Sequence, residues 1–435
     1  MTRPYVISVR HGCTRLFWVF VLAFVILATY QLQIAESNAY AGYVSFAVDA
    51  SFMGRFVASL LLLSLAVPVR IAKPSDCFRL LYGLFVLLPY VVLHEIRGAV
   101  PLHEYVADFC ILALPVFLMA AASYVVPAVR MPAVFRQEYV ICLLVLLCLL
   151  GLANALSAPT PSAGFGLDVY ARRLEGRELF PDRSFFAYLN AAIVNGFAPL
   201  LAFIAGWRRK LWPLLLSAVC VIGYYYILGL KVPVIFVSLS LALGWAARMG
   251  KLETVGKVLC ALLLGLFALF LFEYLMSGFS YTADYFFRRA YGVPAFLMAA
   301  YFDFMAAGGA PLAAWSALDG VHAAEPITFV VGERFLGDPG LNANTNTFLY
   351  ALADGGVVLY GATVLLVLIV FLALDAAYRS RGSPVLLYLG FLYAILLTEQ
   401  AATIALVSSG IGVLIMFFLF SRAKQGRFGG RRPSY

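Results

Sequence analysis

Charged residues are scarce in this sequence: lysine, arginine, aspartate and glutamate make up 12% of its 435 residues, whereas 63% are hydrophobic. A mean hydropathy of +0.93 excludes a water-soluble domain, because no single core hides that much apolar surface. The sequence also lacks a Walker loop and a GxGxxG motif opening a soluble βαβ unit. The composition therefore predicts a polytopic membrane protein and argues against a cytoplasmic nucleotide-dependent enzyme.

Residues that bind metals or form disulfides are also few, with seven cysteines and four histidines in the whole chain. No CxxC pair and no Cys/His cluster at metal-ligand spacing occurs, and most cysteines lie inside or beside apolar runs. Such cysteines act as small hydrophobic side chains. We therefore expect no disulfide framework and no metal site, and we assign no cofactor.

Apolar windows of about 20 residues are long enough to cross a hydrocarbon core as helices. Each window must be helical to satisfy its backbone in lipid, and none alternates as a barrel strand would. The sequence thus predicts an all-α, polytopic protein, a single integral membrane domain over residues 1–435 with about 12 transmembrane helices. The windows lie near residues 16–34, 51–69, 78–94, 105–126, 139–156, 184–206, 211–229, 232–247, 258–276, 355–374, 384–400 and 403–420.

The distribution of basic residues predicts the orientation of these spans. If the N-terminus is cytoplasmic, 21 of the 31 lysines and arginines fall on the inner side, together with only four of the 22 acids. Both termini are then cytoplasmic. The net charge of +9 is explained by this topology better than by a nucleic-acid partner, which we do not expect. An Ala-x-Ala sequence at 39–41 leaves signal-peptide cleavage open as an alternative for the first span.

The first outer loop that carries candidate functional residues covers residues 157–183. Its arginines are an exception to the location of basic residues on the inner side. It carries four arginines, of which Arg172 and Arg173 are adjacent. A guanidinium group is permanently charged and binds phosphate oxygens in a bidentate manner. These arginines therefore suit a lipid-linked phosphate or pyrophosphate at the membrane surface. The alternative is that they pair with the four carboxylates of the same loop.

The largest outer loop covers residues 277–354 between the ninth and tenth windows and is too long for a simple connector. Its first part, 279–305, alternates aromatic residues with charges, which is typical of short helices lying in the membrane interface. Such helices would hold a polyprenyl tail while Arg288 or Arg289 meets its phosphates. A structural re-entrant cap is the alternative interpretation.

A polar lip precedes the tenth window, at residues 342–347. Amide and hydroxyl side chains of this kind hydrogen-bond sugar hydroxyls or cap a helix, and capping alone explains only one or two of them. Ionisable residues within or near spans are further candidates because they are costly in lipid. The lip comprises Asn342, Asn344, Thr345, Asn346 and Thr347, and the ionisable candidates are Asp49, Arg55, Glu273 and Glu399.

Three stretches in order, "DVYARR", "RRAYGVPAFLMAAYFDFM" and "NTNTFLYALADGGVVLYG", resemble the Wzy-type oligosaccharide repeat-unit polymerases. These membrane enzymes extend O-antigen, capsule and exopolysaccharide chains and are related to the O-antigen ligases. The resemblance covers roughly residues 160–380, together with the plan of twelve spans and a large late outer loop. It implies a bacterial inner-membrane protein with its active site facing the periplasm.

The resemblance implies a metal-independent glycosyl transfer between polyprenyl-pyrophosphate-linked donor and acceptor oligosaccharides, in contact with membrane lipids. It implies arginines that stabilise the leaving pyrophosphate and a base for the acceptor hydroxyl, with a chain-length co-polymerase as a candidate partner. The assigned residues are Arg172, Arg173, Arg288 and Arg289 for pyrophosphate, Asp303 and then Asp354 as base, and Asn344, Asn346, Thr347 and Tyr301 for sugar.

Three alternatives stay open. The related ligases carry a His-Asn pair at the lip, where this chain has Asn344, Thr345 and Asn346, although His322 lies in the same loop. A twelve-helix transporter is the second alternative, but the two halves look dissimilar and the polar residues lie toward the outer face. A non-catalytic scaffold is the third, and it predicts no consequence from removing the loop arginines.

Overall fold

Helices build the part of the chain that the computed structural model describes, which is residues 9–132, 134–157, 164, 184–307, 326–337 and 340–422. Within these residues the strands are two short segments, β1 (Phe135–Arg136) and β2 (Ser421–Arg422), which pair in parallel. Eight continuous helical stretches of the described residues, some of which include a π-helical turn, are long and apolar enough to cross a membrane. The predicted all-α membrane fold is therefore confirmed.

Most of the apolar windows coincide with helices. The helices are α1 (Val9–Thr29), α2 (Ala50–Ala66), α3 (Pro74–Tyr82), α4 (Leu88–Leu93), α5 (Leu102–Val125), α6 (Gln137–Ser157), α7 (Phe185–Ala192), α8 (Ala198–Arg208), α9 (Leu211–Leu228), α10 (Val232–Arg248), α11 (Val255–Ser277), α12 (Val293–Ala306), α13 (Ile327–Leu336), α14 (Thr347–Arg381), α15 (Pro384–Leu396), α16 (Ala402–Leu406) and α17 (Ile411–Leu419). Short π-helical turns join α3 to α4 and α7 to α8, and a longer π-helix, Ala283–Gly292, precedes α12.

Four of the twelve windows do not coincide with a helix of 18 or more residues. Three windows coincide with apolar helices of only 13 to 17 residues, α2, α10 and α15. The last window contains two short helices, α16 and α17, separated by the non-helical residues 407–410. The count of twelve spans stays a prediction.

Two of the membrane helices lie inside the others. The most apolar window of Pro74–Leu93 is 94% buried and that of Phe185–Arg208 is 83% buried, whereas that of Leu252–Ser277 is only 22% buried. Leu252–Ser277 therefore leaves most of its side chains for lipid. The inner helix Phe185–Arg208 packs closely on α10, because a Cβ atom on Gly206 or Gly244 would overlap the backbone of the other helix.

Contacts between distant segments define two ends of the helical bundle. At one end, which we call the basic end, Arg208 donates to Gln137 Oε1 at 3.1 Å and Arg381 donates to Ser421 O at 2.9 Å. At the opposite end of these helices, which we call the lip end, Thr347 N donates to Leu397 O at 3.0 Å. The segments expected on the cytoplasmic side and those expected on the outer side thus gather at separate ends.

The helix that follows the lip is interrupted. Within α14, Gly355 has φ −141° and Gly356 has φ +63° with ψ −160°, neither of which is helical. The backbone conformation of Gly356 is accessible almost only to glycine. The break separates a short first part, 347–354, from a long rod that ends at Arg381. The tenth window, 355–374, therefore marks only the rod.

Candidate functional site at the lip end

Tyr301 joins the large outer loop to the polar lip. Its hydroxyl, on α12, donates to Ala343 O at 3.0 Å, and Ala343 N donates to Thr328 O at 3.0 Å. Burial, with Tyr350 and Asp354 nearby, raises the pKa of Tyr301, so the phenol stays protonated and donates. Tyr301 therefore holds α12 against the lip. Its contact with sugar stays a prediction.

Asn346 starts α14 by capping it. Its Oδ1 accepts from Phe348 N at 3.2 Å and from Leu349 N at 3.1 Å, and Tyr82 Oη donates to it at 3.1 Å. Such a cap satisfies backbone donors that the first turn leaves open. Asn346 and Thr347 are buried. Their role in sugar binding stays a prediction, and the observed role of Asn346 is to fix the lip.

Asn344 differs from these two because its side chain is exposed. An exposed amide offers both a donor and an acceptor to a ligand, which suits the hydroxyl groups of a sugar. Of the three lip residues assigned to sugar, Asn344 is the one that a ligand reaches without rearrangement.

The two arginines of the π-helix Ala283–Gly292 have different surroundings. Arg288 Nε lies 3.3 Å from Asp284 Oδ1, and Asn38 Nδ2 donates to the same carboxylate oxygen at 3.0 Å. Arg289 is exposed, lies 5.9 Å from the ring centre of Tyr285 and has no carboxylate partner within the described residues. Arg289 is therefore the better placed of the two to receive an anion.

Exposed aromatic side chains accompany Arg289. Tyr281, Tyr285 and Phe286 are exposed on or beside the same π-helix. Aromatic rings next to a cation are typical of the headgroup depth of a membrane. This arrangement agrees with a platform on which a lipid tail lies while its phosphates meet a guanidinium group.

Asp303 pairs with an arginine that the sequence did not single out. Arg97 Nε donates to Asp303 Oδ2 at 2.9 Å, and the Arg97 guanidinium lies 4.6 Å from the ring centre of Phe296 and 5.3 Å from that of Phe335. The Asp303 side chain remains 51% exposed, so a ligand can still reach it. No local pattern in the sequence distinguishes Arg97, because its partner lies 206 residues further along the chain.

Asp354 is exposed and immediately precedes the break in α14. Its charge acts on the buried Tyr301, which precedes Asp303 by two residues in α12. The two carboxylates assigned as candidate bases thus lie in the same region, one on the outer loop and one on the lip helix. Arg172 and Arg173, by contrast, lie outside the described residues.

Three of the other four ionisable candidates, Arg55, Asp49 and Glu273, form structural contacts. Arg55 pairs with Glu95 at 2.6 Å rather than with Asp49, whose carboxylate caps α2 instead. Glu273 accepts hydrogen bonds from the segment that follows α11. Glu399 is exposed in the turn after α15. Within the described residues, no group of three or more His, Cys, Asp or Glu side chains is placed to hold a metal ion.

Comparisons of this chain with protein-family models, with curated proteins and with solved structures found no match. Its functional interpretation therefore depends on its own residues and on the geometry of the lip end.

Proposed function

We propose that this protein is a polymerase of polyprenyl-pyrophosphate-linked oligosaccharide repeat units, similar to the Wzy-type enzymes. It acts at the periplasmic face of the bacterial inner membrane, with twelve spans, both termini in the cytoplasm and the lip end outward. The observation that supports this best is the hydrogen bond from Tyr301 to Ala343, because it brings the arginine-bearing outer loop and the polar lip together. Two of the three segments that resemble the family thereby lie next to each other.

In this proposal the arginines bind the leaving group. The bond between the donor sugar and its pyrophosphate breaks, and the pyrophosphate leaves with the electron pair. Arg289, with Arg288 beside it and Arg172 and Arg173 from the loop 157–183, stabilises the negative charge that develops. The aromatic side chains around Arg289 hold the polyprenyl tail.

The acceptor sugar binds on the other side of the site. A new bond forms between its hydroxyl oxygen and the donor sugar, and the proton of that hydroxyl passes to a carboxylate, Asp303 in the first instance and otherwise Asp354. Asn344 hydrogen-bonds the sugar, whereas Asn346 and Tyr301 hold the lip in place. The product remains on the carrier of the acceptor, and its glycan is longer by the chain that was transferred.

The test is the size distribution of surface polysaccharide in cells that lack the gene and carry either the wild type or a variant. The Arg289 side chain pairs with no carboxylate among the described residues, so its removal should not disturb folding. The Arg289→Ala protein should therefore remain in the membrane. Loss of one charge-stabilising group typically costs about 100- to 1000-fold in rate, so the ladder should collapse toward a single repeat unit. Lys257→Ala, which removes an exposed cation near the start of α11, is the matched control and should leave the ladder unchanged.

Other outcomes point to the alternatives. Carrier-linked polymer of normal length that never reaches its final acceptor would indicate a ligase-type transferase. An unchanged ladder in cells that lack the gene would contradict both enzymes and favour the transporter.

A further inference from the structure

An open cleft lies at the basic end, where α8 ends and α9 begins beside α10. Its volume is about 380 Å³, within the usual range for sites that bind small molecules. It is far along the bundle from the polar lip and plays no part in the proposed polymerisation. The cleft is lined by Ala205, Gly206, Arg209, Lys210, Leu211, Leu214 and Leu241.

The lining of the cleft is amphipathic. Arg209 and Lys210 supply two positive charges, and Leu211, Leu214 and Leu241 supply apolar surface. Neither cationic side chain forms a hydrogen bond or an ion pair with another residue in the part of the chain that the structure describes. The cleft therefore offers two unsatisfied cations directly beside an apolar wall, which is complementary to an anion that carries a hydrocarbon chain.

The backbone reinforces the positive charge at this point. Lys210 is the residue before α9, a helix of 18 residues, and no side chain caps that helix start. The open N–H groups and the dipole of a helix N-terminus favour an anion. The polarity of the helix thus adds to the charges of the two side chains.

Arg209 adopts a conformation that arginine rarely takes. Its φ of +53° is the only positive φ of a non-glycine residue within the described chain, and it occurs where α8 ends. Glycine is the common residue at such helix ends because a Cβ atom disfavours this conformation. Replacing Arg209 by glycine would therefore relieve the backbone while removing the positive charge.

Two tryptophans place the cleft at the depth of lipid headgroups. Trp212 is exposed at the start of α9, and Trp207 lies 5.3 Å from the guanidinium of Arg208. Tryptophan is enriched at the boundary between hydrocarbon and water, and basic pockets between membrane helices bind anionic lipid headgroups. A soluble phosphate compound would not use the apolar wall.

We propose that this cleft binds one acidic glycerophospholipid. The lipid phosphate lies between Arg209 and Lys210, and an acyl chain follows Leu211, Leu214 and Leu241. If the basic end faces the cytoplasm, as proposed above, this is a lipid of the inner leaflet. The inference does not depend on the polymerase proposal, since it holds equally for a ligase or a transporter.

The experiment is native mass spectrometry of the purified full chain, titrated with phosphatidylglycerol and, separately, with zwitterionic phosphatidylcholine. Arg209→Gln/Lys210→Gln should weaken binding of the first phosphatidylglycerol by about 10- to 30-fold, as expected for two interfacial cations. The control is Arg248→Gln/Lys251→Gln, two basic residues that do not line the cleft, and it should bind like the wild type.

Two further variants separate binding from folding. Arg209→Gly/Lys210→Gln removes the same charges while relieving the backbone at Arg209, and it should show the same loss. Leu214→Trp keeps both charges but fills the apolar part of the cleft, and it should also weaken binding. Equal loss in the control pair, equal affinity for phosphatidylcholine, or displacement of the lipid by millimolar inorganic phosphate would each overturn the proposal.

Discussion

Arg97 Nε lies 2.9 Å from Asp303 Oδ2, which connects the loop after α4 to the end of α12 across more than 200 residues of sequence. The Asp303 side chain is half-exposed, and ion pairs of this kind contribute less than about 1 kcal/mol to stability. The importance of this pair is therefore positional. The pair holds the Asp303 carboxylate beside the lip and leaves that carboxylate accessible to a ligand.

Asp303→Asn tests whether that carboxylate accepts the proton of the acceptor hydroxyl. We expect the free energy of unfolding to change by less than about 1 kcal/mol, because the pair is exposed. Polymer formation should nevertheless fall by about 100-fold or more, as is usual when a general base is removed. The measurements are thermal unfolding of the purified protein and the polysaccharide ladder. A normal ladder would move the assignment to Asp354.

Glu95→Ala should be strongly destabilising. Arg55 and Glu95 form a pair whose side chains are each only 9% exposed, and Arg55 also donates to Val100 O at 2.7 Å. Removing one partner of a buried pair leaves an uncompensated charge and costs about 3–5 kcal/mol.

The matched control for this prediction is Glu253→Ala. Glu253 pairs with Arg70 at the basic end, and both of these side chains are largely exposed, so the expected cost is below about 1 kcal/mol. Chemical denaturation of both variants in the same detergent gives the comparison. Equal stability of the two variants would show that Arg55 finds another partner.

Gly356→Ala should disturb the lip from within α14. The φ of +63° and ψ of −160° at Gly356 lie outside the regions open to alanine, so the substitution costs about 1–3 kcal/mol or forces the break to straighten. Gly361→Ala is the control, since a Cβ there meets no other atom and alanine favours a helix. Gly356→Ala should lower the thermal unfolding temperature and weaken the polysaccharide ladder, whereas Gly361→Ala should do neither. An unaffected Gly356→Ala protein would mean that the break is not required.

Gly244→Ala should separate α8 from α10. A Cβ on Gly244 would overlap Phe203 O, and overpacking of this kind costs about 1–3 kcal/mol. Gly265→Ala in α11 adds the same methyl group where nothing lies within 4 Å, so it should be neutral or slightly stabilising. Unfolding of the purified variants measures the difference. Similar stabilities would indicate that the helices shift apart without cost.

The positions of the helices were predictable because apolar runs must be helical in lipid. The window at 355–374 shows the limit of that approach. Hydropathy identified the rod of α14 but not its first part, since that part begins with the mixed residues after Asn346 and is defined by a cap and a two-glycine break. A short-range hydrogen-bond pattern decides those boundaries, and an average over 20 residues does not detect it.

The contacts of the candidate site residues were not predictable from the sequence, and the functional roles of these residues stay predictions. Arg289 was singled out from charge among aromatic residues and Asp303 from the family resemblance, whereas Arg97 was missed because its partner lies far away in the sequence. Glu273 was also a candidate, because an ionisable residue in a membrane span is energetically costly and is therefore often functional. Its partners are the residues just after its own helix, a structural solution that composition alone does not distinguish from a site.

The hairpin formed by α15, α16 and α17 has a consequence for how a substrate approaches. A helix of 13 residues rises about 20 Å, whereas the hydrocarbon core is about 30 Å thick. A span that began at the inner boundary with α15 would therefore end roughly 10 Å short of the outer one. Because Leu397 O accepts from Thr347 N, the lip is anchored to this sunken turn. In the proposed polymerase, a sugar carried on a membrane lipid would enter sideways at the depth of this turn, and its carrier would not have to be lifted out of the bilayer.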